Sequence, residues 1–116
     1  MDIGSAVSRS NGVSVEKIEA LGEYAASPLF SETEKLVLDY ATAMTQTPVE
    51  VSDALFAKLR ARFTEAQMVE LTATLAWENY RARFDHAFGV EAEGFTKGSY
   101  CAMPVHAASQ SRAAAP

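Results

Sequence analysis

Two four-residue stretches set most of what this chain can fold into. Ser31-Glu32-Thr33-Glu34 and Thr64-Glu65-Ala66-Gln67 both follow the capping-box pattern. The first hydroxyl accepts from the backbone N–H three residues on, and the Glu or Gln side chain reaches back to the first residue's N–H. Each box stands ahead of a run whose apolar residues recur at helical spacing, so each marks a helix start. After Ser31 the buried stripe reads Leu36, Val37, Tyr40, Ala41 and Met44, and Thr47-Pro48 closes it because the residue before proline is pushed out of the α region. After Thr64, with Phe63 and Met68 stapled across the cap, the helix runs to about Phe88, where Gly89 suits the left-handed stop.

The remaining starts and stops are read in the same way. Ile3, Ala6, Val7 and Ser10 share one helical face ahead of Asn11-Gly12, with Asp2 as the only residue in front that could cap it. Ser14 caps the next helix, with Val13 and Ile18 as its staple, Ile18 and Leu21 on its buried side, and Ser27-Pro28 at its end. Ser52 caps another, with Val51 and Phe56 as the staple and Leu55, Phe56 and Leu59 facing inward. The expectation is helices near residues 2–10, 14–24, 32–46, 53–62 and 65–88. No window alternates convincingly enough for a strand, so the chain reads as all-α, a bundle of about five helices with short connections. Residues 1–104 form the single helical domain of this reading. Within it, Val90 to Pro104 is an irregular arm held by Phe95 and Tyr100. Residues 105–116, rich in Ala and Ser and containing His106, form a disordered tail.

Composition narrows the function classes. The 116 residues carry a formal charge of -5, which argues against a nucleic-acid footprint and against an anionic membrane surface as partner. No run of about 18 apolar residues exists to span a bilayer, and the N-terminus lacks the basic-then-apolar order of a signal peptide. One cysteine, Cys101, leaves no internal disulfide, which fits a reducing cytoplasm.

The fifth helix holds the unusual residues. Spaced at about 100° per residue, its side chains divide into three arcs. Glu70, Thr74, Glu78, Arg81 and Asp85 make a narrow wet side. Ala73, Trp77, Tyr80, Phe84 and Phe88 make a broad aromatic side, read as core rather than as a cofactor cradle. Met68, Leu71, Leu75 and Ala82 make an aliphatic one. So little of the circumference is polar that the helix belongs at the centre of the bundle or at an oligomer interface. Asn79, Arg83 and His86 sit in the aliphatic arc or at its edge, where polar groups need hydrogen-bonding partners. Three readings stay open for them: a structural network pinning neighbouring helices or subunits, the wall of a pocket that binds or protonates a small molecule, and simple exposure at the rim.

Other chemistry finds little footing. Two histidines, one of them in the tail, do not make a metal site, and no other cofactor is implied. There is no Gly-rich phosphate loop and no nucleophile elbow. Cys101 has only Lys97 near it in sequence to lower its pKa, so it reads as a passive thiol.

Taken together, "DIGSAVSRSNGVS", "SETEKLVLDYATAMTQTP", "ENYRARFDHAFG" and "GSYCAMP" resemble the carboxymuconolactone decarboxylase-like family, and more narrowly its alkylhydroperoxidase-D-like branch. The similarity runs from about Asp2 to Pro104. It implies an all-helical subunit assembling into dimers, trimers or hexamers, and a hydroperoxide or lactone as small-molecule ligand. In active members it implies thiol-dependent peroxide reduction by a Cys-x-x-Cys pair. By this resemblance the pair lies just upstream of Met1, and the position of the histidine that many active members carry is occupied by Gly4. No catalytic residue of the branch transfers to this sequence. A Cys-x-x-Cys works because one thiolate attacks and its neighbour resolves the disulfide, which a lone Cys101 cannot do.

Three function classes follow. One is a family enzyme, or the C-terminal remainder of one, in which the missing front of the first helix leaves apolar faces for an oligomer to cover. Another is a non-catalytic oligomeric helical module that binds or assembles. The third is a decarboxylase or other lyase, which needs no cysteine pair.

Overall fold

The structure is a computed structural model that describes residues 2–91, 93 and 94. Five α-helices succeed one another: α1 (Asp2–Ser10), α2 (Val15–Glu19), α3 (Glu32–Thr45), α4 (Asp53–Arg60) and α5 (Glu65–Phe88). A short 3-10 stretch, Ala20–Glu23, continues α2, and no strand occurs among the described residues. The irregular arm with Phe95 and Tyr100, Cys101 with Lys97, and the tail with His106 all fall outside the described residues.

Internal packing separates the residues up to Leu29 from a second unit, Phe30–Glu91. In the first unit, Gly12 at φ +88° turns the chain out of α1, a conformation that a side chain would strain. Ser14 then caps α2 by accepting the Lys17 N–H at 3.2 Å, and Ile18 is buried. The single helix expected over 14–24 is shorter than that. It leaves α geometry after Glu19, where Gly22, a weak helix former, lies ahead and a tighter 3-10 turn takes over.

The second unit holds the core. Both capping boxes form: Ser31 accepts from Glu34 N–H at 3.1 Å while Glu34 accepts from Ser31 N–H at 2.8 Å. At Thr64 and Gln67 the same pair of bonds measures 3.2 and 2.9 Å. Ser52 caps α4 through Leu55 N–H, and Gly89 ends α5 at φ +63°. These caps satisfy orphan N–H groups at helix ends that would otherwise need water.

Helices α3, α4 and α5 then pack on one another around Tyr40, Leu59 and Met68. Leu36, Val37, Met44, Val51, Leu55, Phe63, Leu71 and Leu75 surround that centre. Leu59 has 0% of its surface exposed, because Leu55 and Leu59 on α4 both point between the other two helices. Phe56 departs from the sequence reading. It lies about 100° around α4 from Leu55 and is 44% exposed, so it faces outward despite its staple position. Among the described residues no helix is long and apolar enough to cross a membrane.

Truncating the centre tests this packing. Leu59→Ala should lower unfolding stability by about 2–5 kcal/mol in a denaturant titration monitored by circular dichroism. A loss under about 1 kcal/mol would mean that the three helices do not converge on Leu59.

Candidate functional site

The candidate residues Asn79, Arg83 and His86 belong to the second half of α5. What they can do depends on where α5 meets α3. Tyr40 is buried, and its hydroxyl lies 2.7 Å from Thr72 Oγ1. Thr72 Oγ1 in turn donates to the Met68 carbonyl at 2.7 Å. With the threonine proton committed to that carbonyl, Tyr40 is the donor and Thr72 the acceptor, and each buried hydroxyl is satisfied.

Further along, the Asn79 amide donates to Thr45 Oγ1 at 3.2 Å and to the Leu75 carbonyl at 2.9 Å. Thr45 Oγ1 itself donates to the Ala41 carbonyl at 2.8 Å, which leaves its lone pairs for Asn79. One turn on, an Arg83 guanidinium nitrogen donates to Thr47 Oγ1 at 2.8 Å. The partners rise together along both segments, 40 with 72, 45 with 79 and 47 with 83, so α3 and α5 run in the same direction. A further bond, from Arg62 to Thr33 Oγ1 at 2.6 Å, ties the turn after α4 to the first turn of α3.

Asn79 and Arg83 therefore share a row, but His86 does not join it. His86 is exposed in the last turn of α5, where a basic side chain suits the negative end of the helix dipole. The hydroxyls of Thr45, Thr47 and Thr72 complete the row, and pattern reading passed over them. Threonine is ordinary at helix ends and in helices, and only its pairing with a polar residue on the facing helix marks it out.

An open recess of about 290 Å³ lies elsewhere on this unit, lined by Val37, Phe63, Gln67, Glu70, Leu71 and Thr74. Its lining includes none of Asn79, Arg83 and His86 and offers no histidine or cysteine. Its size is at the lower edge of small-molecule sites, and the Gln67 amide oxygen is already engaged in the helix cap. Among the described residues no three His, Cys, Asp or Glu side chains come together in a group that could hold a metal ion.

The aromatic side of α5 corrects the sequence reading. Trp77, Tyr80, Phe84 and Phe88 are not core: they are 58%, 58%, 49% and 73% exposed. The aliphatic arc of Met68, Leu71 and Leu75 and the aromatic arc lie on opposite sides of the helix. With α3 and α4 both on the aliphatic side, nothing in this unit is left to cover the other. The four rings line up along the helix instead, Trp77, Tyr80 and Phe84 stacked at centroid separations of 5.4 and 6.1 Å and Phe88 tilted against Phe84 at 4.8 Å. On the wet arc, Arg81 and Glu78 pair at 3.1 Å.

Comparison with known proteins gives one kind of likeness. The chain is 40% identical over 84 residues to an uncharacterized protein, YnjA, of Escherichia coli (strain K12), a match covering 72% of this chain and 46% of that protein. The chain thus spans about half the length of the curated relative it matches. No family profile matches, and no solved structure matches.

A double-mutant cycle on Arg83→Ala and Thr47→Val measures what their contact contributes. The two changes should couple by about 0.5–1 kcal/mol in unfolding free energy, as suits a solvent-exposed hydrogen bond. Strictly additive losses would show that Arg83 is not held by Thr47 in solution.

Proposed function

We propose that this chain is a helical module of the carboxymuconolactone decarboxylase-like family, in its alkylhydroperoxidase-D-like branch, and that these 116 residues act by assembly rather than by dithiol peroxide reduction. The observation that carries the proposal is the row formed by Asn79 and Arg83 with Thr45 and Thr47. Two of the three polar residues that could have built a reactive pocket hold α5 against the end of α3 instead. A guanidinium and a carboxamide bonded to threonine hydroxyls supply neither a nucleophile nor a general base.

The chemistry of thiols argues the same way. Peroxide reduction by a dithiol oxidises one thiolate to a sulfenic acid, which a second thiol condenses with to give a disulfide and water. An external reductant then restores both thiols. Cys101 is the one sulfhydryl in the sequence, so within one chain the condensation has no second partner.

A second reading, a homo-oligomer between dimer and hexamer, is favoured by the exposed rings of α5. Soluble proteins rarely leave a contiguous aromatic strip in water unless something binds it.

Hydroperoxide consumption by the 116-residue protein with a dithiol reductant should be at background, and Cys101→Ser should not change it. Robust turnover that disappears on Cys101→Ser would refute the proposal.

A further inference from the structure

We infer that Asn11-Gly12, at the end of α1, is a site of self-modification: the Asn11 side chain cyclises onto the Gly12 nitrogen and is hydrolysed, at a rate set by how often the end of α1 opens.

The sequence supplies the reactive pair. An asparagine cyclises when the backbone nitrogen that follows it, once deprotonated, attacks the side-chain carbonyl carbon. Glycine presents that nitrogen with no Cβ to crowd the approach. The chain has two asparagines, and Asn11 alone precedes a glycine; Asn79 precedes Tyr80, and its amide is held by Thr45 and the Leu75 carbonyl. Asn11 and Gly12 are both exposed, so water and hydroxide reach them.

In the first step the bond from Gly12 N to Asn11 Cγ forms and the bond from Cγ to Nδ2 breaks, closing a five-membered imide. Hydroxide takes the Gly12 proton, water protonates the departing nitrogen, and ammonia leaves. Water then opens the ring. Cleavage of the new bond leaves an aspartyl linkage; cleavage of the original peptide bond leaves an isoaspartyl one, with the main chain routed through Cγ. Water is the sole co-reactant, and nothing is oxidised or reduced.

The end of α1 opposes the first step. Gly12 N–H donates to the Arg9 carbonyl at 3.1 Å and Val13 N–H to the Ser8 carbonyl at 3.0 Å, the paired bonds of a glycine helix stop. The Asn11 amide donates to the Val7 carbonyl at 3.0 Å. The attacking and the leaving nitrogen are thus each committed to a different carbonyl of the preceding turn, and ring closure breaks both bonds. Reaction therefore proceeds from chains in which this turn has opened. Opening is a small step, because α1 has nine residues, fewer than an isolated helix needs to be stable, and the core is built from other helices.

The product does not restore the stop. A carboxylate in place of the amide has no N–H for the Val7 carbonyl and sets a negative charge at the C-terminal end of α1, where the helix dipole disfavours it. The isoaspartyl form also lengthens the backbone and moves Gly12 N–H away from Arg9. Each conversion leaves α1 less able to close, so the modified fraction records the time that the turn has spent open.

Incubation of the full chain in oxygen-18 water at mildly alkaline pH, followed by digestion and mass spectrometry, tests this. The peptide carrying Asn11 should take up one heavy oxygen and give both linkages, while the peptide carrying Asn79 stays unlabelled. The native chain should convert about tenfold to a hundredfold more slowly than the urea-unfolded chain. Ala6→Gly, which weakens α1 without touching the reacting pair, should raise the native rate about two- to fivefold and leave the unfolded rate unchanged. Equal rates in the native and unfolded chains would overturn the inference, as would a native rate that Ala6→Gly does not raise. An Asn11 peptide free of label in the native chain when the unfolded chain has fully converted would overturn it too.

Discussion

Leu59 and Tyr40 together govern the three-helix unit. Leu59 closes the centre from α4, the shortest of the three helices, while Tyr40 brings a phenol into that centre and needs an acceptor there. Thr72 supplies it without leaving a donor unpaired, because its own proton goes to the carbonyl one turn back. A buried hydroxyl pair of this kind sets rotation as well as contact. Apolar packing alone would let α5 roll on α3, whereas the bond from Tyr40 fixes which face of α5 looks inward. The positions of Asn79 and Arg83 over Thr45 and Thr47 follow, and so does the outward display of the rings.

Two apolar arcs on one helix are more than three helices can bury. The aliphatic arc wins the interior because Leu, Met and Val side chains from α3, α4 and the segment before α4 pack against it around Leu59. The aromatic arc is left packed upon itself, stacked from Trp77 to Phe84 with Phe88 tilted against the last ring. Such contacts lower the rings' exposure a little.

The starts of the helices were legible because capping is local chemistry. Ser14, Ser31, Ser52 and Thr64 each bond a backbone N–H three residues away, and no distant residue alters that. The buried stripe of α3 was legible for a similar reason: one apolar face, one possible interior. The sides of α5 were not, since the pattern offers two apolar arcs and only the partners choose between them. Phe56 failed in the same way, apolar and well spaced yet turned outward on a helix too short to be covered all round. For the candidate site, the sequence singled out Asn79 and Arg83 as polar groups in need of partners. It could not supply the threonines, whose part is decided by the parallel run of α3 and α5. The shortened α2 shows a weak helix former, Gly22, prevailing over a favourable cap.

Native-state hydrogen exchange followed by NMR reads this organisation directly, residue by residue. The amides of Leu36 to Met44 and of Leu71 to Leu75 should exchange only by global unfolding, sharing one free energy. Those of Phe84 to Phe88 should open at lower free energy, because past Arg83 nothing in the unit holds them except the helix itself. Equal protection along the whole of α5, or protection of α2 exceeding that of α3, would contradict a fold organised around Tyr40, Leu59 and Thr72.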